Sequence, residues 1–523
     1  MISIVTLLSF WGCSNEMVIA TQDRAASDSG YYYGDDAEAD MGDYDGGASE
    51  EDPSNDDGLG SETEQAGPML APATTNAYVF VANPDRNTVT RIEVATLNVM
   101  TAEVGVNPVL VETSSDYRVA VTFNQGSNSL SVIDSQSLSV QEVEVRGNLN
   151  NMKLSPDGNW VVCYHDLNGE NGGQGTGGAI SYNAISIVNL ETLEHTEAMA
   201  GAFPKDVQFN GDSSLGVVIS DDYLSTIDFT QTPPTLHRIP IADDLVNPPL
   251  AEEVLLDPEG RYAIVRQYGV DQLVLVDLQT SGDPISMLDV GANPTDMDVS
   301  PDGTQAMVVA RVAKELWIYD LQDPTLAPEV LALPEEDVFG GLLLSEDGQQ
   351  GILYSTVSGE SRVGVWRRDD NSIVVRGTTK PVSGVDMSPD SQTAILFHPR
   401  ENGDIDSSSY FYNRYGISLM AMSDLFTSSY QLSAEVDSFA STEDGRYGLY
   451  TMKDRPYVEI LDYQTFVPDE IELPSLPVHM GSLPDTNTVF ISQEHDLGRI
   501  SFFAPELGGL QTITGFELNA VVE

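Results

Sequence analysis

Two residue types are nearly missing from this 523-residue chain, cysteine and lysine. The two cysteines, Cys13 and Cys163, are too few for a disulfide scaffold and have no metal-ligand spacing. No CxxCH occurs, which excludes covalent c-type haem. Lysine is confined to Lys153, Lys205, Lys314, Lys380 and Lys453. All basic residues together number 23 against 82 acidic ones, a formal charge of −59. Charge of that sign and size repels polyanions, so no nucleic-acid partner is expected. Long apolar runs are missing too. None reaches the roughly 18 residues needed to span a bilayer. There is no GxSxG elbow, no HExxH, no P-loop and no GxGxxG after a strand, so the common hydrolase, metalloprotease and nucleotide-binding signatures are absent. No cofactor is implied.

What is present begins at the first residues. "MISIVTLLSFWGCSNE" is a short apolar stretch followed by Gly12-Cys13. It is too short for a transmembrane helix and suits the h-region of a secretory signal. A small residue directly before Cys resembles the lipobox of bacterial lipoproteins, in which that Cys is diacylated and becomes the mature N-terminus. Phe10 stands where that motif usually has Leu, and no Lys or Arg precedes the apolar run, a gap that an upstream start codon would close. The resemblance implies a signal peptide over 1–12, lipidation at Cys13 and attachment to a membrane through the lipid. Ser14 after the Cys is, by the same resemblance, more typical of the outer membrane, with the protein on its periplasmic or its outer surface. The acidic, Lys-poor composition agrees with a place outside the cytoplasm, although a merely solvated surface accounts for it equally well.

Residues 25–76 contain no Lys or Arg and are rich in Asp, Glu, Gly and Ser. Such a composition cannot bury enough apolar surface to fold. After a lipidated Cys13, the span 13–76 reads as a disordered acidic tether, kept extended by like-charge repulsion. "DMGDYDGG" within it superficially suggests calcium ligands but lacks the EF-hand ladder with its later Glu.

From Asn76 onward the chain repeats itself. Turn tetrads recur as SSDY (114–117), SPDG (155–158), NGDS (210–213), DPEG (257–260), SPDG (300–303), SEDG (345–348), SPDS (388–391), TEDG (442–445) and LPDT (483–486). Their third positions are spaced by 41, 55, 47, 43, 45, 43, 54 and 41 residues. They suit type I turns, with Pro presetting φ at the second position and Gly accepted at the fourth. Between them lies a β-branched strand that often ends in Asp or Asn, such as SLSVID (129–134), QLVLVD (272–277) and YVEILD (457–462). Further apolar runs flank each turn, giving four strands per unit and no sustained helical period.

Four-stranded units at this period specify an all-β fold, a β-propeller, over residues 77–523. "SVIDSQSLSV" (131–140) and "VLVDLQT" (274–280) resemble the YVTN-type bacterial propellers, whose repeats combine an SPDG-like turn with a VIDxxT strand. In such propellers the run before the SPDG turn is the innermost strand. Innermost strands then fall near 109, 150, 205, 252, 295, 340, 384, 436, 478 and 519. A single ring of nine or ten blades is expected, closed between the N- and C-terminal strands, with "LNAVVE" (518–523) completing the first blade. Two smaller rings are the alternative.

Two units carry extra length between their second and third strands: "LNGENGGQGTGGAISY" (167–182) and "HPRENGDIDSSSYFYNRYG" (398–416). Both would emerge on one face, on opposite sides of a ten-blade ring, and binding sites favour loops on rigid scaffolds. The second crowds Tyr410, Phe411, Tyr412, Arg414 and Tyr415 together, and Tyr and Arg are typical interface anchors. Asp404 and Asp406 could add a cation ligand. The competing reading is that the aromatics cover the blade edge and the aspartates are merely solvated. His165, His398 and His495 follow second strands on that same face but in blades too far apart to share a metal. His479 falls on an innermost strand, and Cys163 reads as a core thiol. Some YVTN-like relatives are lactonases, and quinone-dependent propeller dehydrogenases use Trp-rich docking repeats, for which four Trp are too few. The expectation is a monomeric, lipid-anchored binding or scaffold module for a protein, peptide or glycan at the bacterial cell envelope. The alternative is an envelope hydrolase of the lactonase type.

Overall fold

The computed structural model describes residues 18–19, 72–167, 181–280, 284–505 and 509–519, apart from positions 325, 335, 358 and 404. Strand follows strand through these residues, and the sheets divide them into ten antiparallel units of four consecutive strands, here a to d. The a strands are Ala73–Thr74, Pro108–Thr113, Asn151–Leu154, Asp206–Phe209, Ala251–Leu256, Pro294–Val299, Gly341–Leu344, Gly384–Met387, Val436–Ser441 and Pro477–Ser482. They adjoin one another around the axis, while the d strands, such as Val467–Glu472, lie exposed at the rim. The molecule is a ten-bladed β-propeller. Blade 8 also carries a two-residue strand, Val18–Ile19, on its inner edge opposite Val385 and Gly384.

The repeated tetrad is the a–b turn, and its side chains explain it. In blade 3 the Ser155 hydroxyl donates to Asp157 (2.6 Å), and Asp157 also accepts the Asn159 amide (3.0 Å). Ser300, Ser345, Ser388 and Thr442 repeat this with Asp302, Asp347, Asp390 and Asp444. The fourth residue turns left-handed: φ is +69° at Gly158 and +64° at Gly303 and Gly445. That conformation is why glycine recurs there.

Each sheet is radial, so both of its faces are covered by neighbours and each blade interface has its own apolar core. Val121, Phe123 and Leu130 of blade 2 meet Met152, Val161 and Cys163 of blade 3. Cys163 is fully buried, and burial pushes its thiol up. The last interface closes the ring: Val79 and Ile92 of blade 1 pack on Phe490, Ile500, Phe502, Ile513 and Phe516 of blade 10. Thr90 also donates to the Phe516 carbonyl, and Arg86 pairs with Glu517 at 2.9 Å. Closure between the chain ends therefore matches the expectation, but one strand does not. The inner strand of blade 1 is Ala73–Thr74, paired with Val79 and Phe80, not a strand at 518–523. Phe516–Leu518 form a 3-10 turn instead, and 520–523 lie outside the described residues. Two residues in "APATT" carry too little apolar pattern to announce a strand, and Thr75 replaces the usual turn by accepting the Tyr78 amide at 2.9 Å.

Candidate functional site

Two places on the ring gather chemistry-bearing side chains, the axial channel and the long loop of blade 8. The channel is lined by the inner edges of the a strands, of which blade 8's is paired with Val18–Ile19, and unpaired edge amides need partners. Carboxylates of one blade supply them to the next. Glu112 accepts the Leu154 amide (2.7 Å), Glu253 that of Met297 (3.1 Å), and Asp296 and Asp298 those of Leu342 and Leu344. Hydroxyls donate to carbonyls of neighbouring blades as well: Thr113 to that of Thr74 and Thr295 to that of Gly340, each at 2.7 Å. Buried Arg266 joins Glu252 and Glu253 at the blade 5–6 junction. Asp386, in blade 8, is buried and pushed up to about 7 by desolvation. His479 sits half-buried on the blade 10 a strand. The channel carboxylates thus mainly hold the ring together.

The blade 8 loop joins strand b, Thr393–His398, to strand c, Tyr415–Ala421. One lysine organises it. Lys380, in the blade 7–8 connection, is fully buried and its ammonium donates to the carbonyls of Pro399 (2.7 Å), Arg400 (3.1 Å) and Arg414 (2.6 Å). These three bonds use every donor an ammonium has and clamp both ends of the loop. Burial pulls Lys380 down to about 8, opposed by nearby Glu401. His398 is equally buried: its Nδ1–H donates to the Pro381 carbonyl (2.9 Å), so Nε2 accepts from Ser418 Oγ (2.6 Å). Loss of water and the adjacent Lys380 push its pKa down to about 4, so the ring stays neutral. The hydroxyl chain continues from Ser418 through Ser429 to Thr379. Neither Lys380 nor its role was singled out from the sequence; its only prior signal was the rarity of lysine.

Beyond this clamp, Tyr410 is 73% exposed and Tyr412 37%, and Arg414 is exposed as well. Phe411 turns inward, 5.4 Å from the Tyr410 ring and over Gly416. Tyr415 starts strand c and packs on the blade 8–9 core. Asp406 accepts hydrogen bonds from the Ser408 side chain and amide within its own loop, which hold its carboxyl low. Asp404 lies outside the described residues, as do Cys13, the tether up to residue 71 apart from 18–19, and residues 168–180 of the blade 3 loop. The loop therefore presents Tyr410, Tyr412 and Arg414 to solvent and keeps Phe411 and Tyr415 for packing. The cavity beneath it, lined by His398, Pro399, Tyr415 and Glu435, measures about 20 Å³, room for one water. His165 and His495 sit elsewhere: His165 lies 6.1 Å from the Tyr182 ring, and His495 accepts the Leu497 amide. Among the described residues, no group of three or more His, Cys, Asp or Glu is arranged to hold a metal ion.

No family model matches the chain, and no curated protein does either. Solved structures do. One described as a eukaryotic initiation factor aligns over 74% of this chain and 93% of its own, at 12% identity and a TM-score of 0.50. The dihydro-heme d1 dehydrogenase NirN, in complex with DHE, aligns over 68% of this chain and 73% of its own, at 16% identity and a TM-score of 0.42. Hydrazine synthase of Kuenenia stuttgartiensis aligns over 61% and 98%, at 18% identity and 0.31. At such identities the likeness is one of fold.

Proposed function

We propose that this chain is a lipid-anchored, extracytoplasmic propeller of the YVTN type, monomeric, that captures a protein, peptide or glycan at the cell envelope through the blade 8 loop. The observation that carries this reading is the outward display of Tyr410, Tyr412 and Arg414 on a loop fastened at both ends by Lys380. Exposed tyrosines on a stiffened loop lose little entropy on binding, which is what makes them effective anchors. The channel carboxylates, engaged with backbone amides, give no support to a hydrolase. Tyr412→Ala combined with Arg414→Ala is expected to abolish recovery of the partner in pull-downs from envelope fractions at unchanged melting temperature. Retained capture would refute the loop as the binding element. Separately, Cys13→Ser should release the protein from membranes, and persistent membrane association would argue against lipidation.

A further inference from the structure

The b–c face carries a second feature, three to five blades from the loop just described. On it, the connections of blades 3 to 5 expose large apolar side chains. Val246 is 85% exposed, Leu250 55% and Tyr268 52%, and Tyr182, Phe203 and Leu245 are exposed as well. These residues come from different connections, yet hydrogen bonds tie the connections into one surface. The Phe203 amide donates to the Tyr182 carbonyl, with the two rings 5.0 Å apart. Lys205 bridges Asp221 and the Ala251 carbonyl, and the Ala251 amide donates to Asp221. The Tyr268 amide donates to the Leu250 carbonyl (2.9 Å).

The blade 4–5 connection is also longer than its counterparts. It runs over residues 241–250, whereas those entering blades 6 and 9 take 290–293 and 433–435. Asp244 accepts the amides of Val246 and Asn247, which fixes the tip. A built loop that holds a valine almost wholly in water is costly unless something covers it.

The charge around the patch says what kind of molecule does so. Asp221, Asp243, Asp244 and Asp271 rim it, and Lys205, already paired with Asp221, is the lone lysine or arginine among the described residues of these connections. An apolar patch with an acidic rim complements a segment with an apolar stripe and basic flanks, and repels an anionic membrane. We propose that this face of blades 3 to 5 docks a cationic amphipathic segment of a partner protein. The proposal is independent of the blade 8 loop.

The test uses the full chain and a synthetic Leu/Lys peptide designed as an amphipathic helix, beside a peptide of identical composition with its stripe scrambled. Calorimetry should show the striped peptide binding more tightly, with affinity falling as salt is raised. Val246→Ser with Leu250→Ser should weaken it by about tenfold or more, while Tyr410→Ser with Tyr412→Ser leaves it unchanged. All four positions are exposed, so folding is expected to survive and melting curves check it. Equal binding of the scrambled peptide, no binding of either, or full binding by the Val246/Leu250 variant overturns the proposal. So does self-association, or binding to neutral lipid vesicles, that the same double variant abolishes, since the occupant would then be a second copy or a membrane.

Discussion

A lysine cut off from water and surrounded by three carbonyl oxygens fixes the geometry of the whole blade 8 loop. Burying an ammonium is unfavourable unless all its protons are bonded, and Lys380 meets that condition. Its partners lie 19 to 34 residues further on in the chain, so nothing local in "TTKPV" distinguished it from the other four lysines. The aromatic run at 410–415 was legible because it is dense. Which rings face water was not, because Phe411 and Tyr415 are turned inward by Gly416 and by the start of strand c. Lys380→Met keeps most of the stem volume but leaves the three carbonyls without their donor. At about 1–3 kcal/mol per orphaned buried acceptor, partly relieved by entering water, the variant should lose about 3 kcal/mol. The expected readout is a melting temperature lower by several degrees, with new protease cleavage inside 399–414. An unchanged cleavage pattern would mean that the loop holds itself.

At the scale of strands and turns, legibility follows contact distance. The a–b turn is built from partners within five residues, so Ser155, Asp157 and Gly158 appear in the sequence as one motif. The carboxylates that bond the a-strand edges reach amides 42 to 46 residues on, such as Glu112 with Leu154 and Asp298 with Leu344, so they resembled ordinary surface carboxylates. Strands c and d of blade 9, Tyr457–Asp462 and Val467–Glu472, contain a like-charge pair of the same hidden kind, Glu459 directly opposite Glu470. Like charges facing each other across a ladder repel. Partial burial and then Glu470 push Glu459 up to about 7 from an ordinary 4.5. The fold therefore keeps a proton that the unfolded chain releases above pH 4.5, so stability from this group is full below that value and is lost as pH rises through 7. Glu459→Gln removes the dependence. It should melt like the parent near pH 4.5 and higher than the parent near pH 8, by about 1 kcal/mol after allowing for solvent screening. A lower melting temperature at pH 8 would show that the Glu459 carboxyl helps hold this face of blade 9.

At the scale of the whole molecule, the architecture is a closed chain of nearest-neighbour contacts. Ten cores serve ten interfaces, and nine of them join blades that are also consecutive in sequence. Radial repetition of this sort makes the blade number readable from turn spacing, and all nine downstream inner strands fall where the spacing put them. The tenth interface is different in kind. No covalent connection spans it among the described residues, so apolar contacts and a few hydrogen bonds such as Thr90 to the Phe516 carbonyl hold blade 10 to blade 1. The Arg86–Glu517 pair is too exposed to add much. Phe516, 4% exposed, is the last side chain of that core, and it also blocks the space beside Gly498. Phe516→Ala removes about 3–5 kcal/mol of packing from the one interface that can part without unfolding a blade. The expected result is a ring that opens before it melts: a larger hydrodynamic radius at temperatures where circular dichroism still reports full strand content. Leu273→Ala, a change of similar kind in the blade 5–6 core, should lower the melting temperature without that early expansion, because the chain itself bridges its interface. If both variants expand and lose strand signal together, closure is no weaker than any other seam, and the ring unfolds as one cooperative unit.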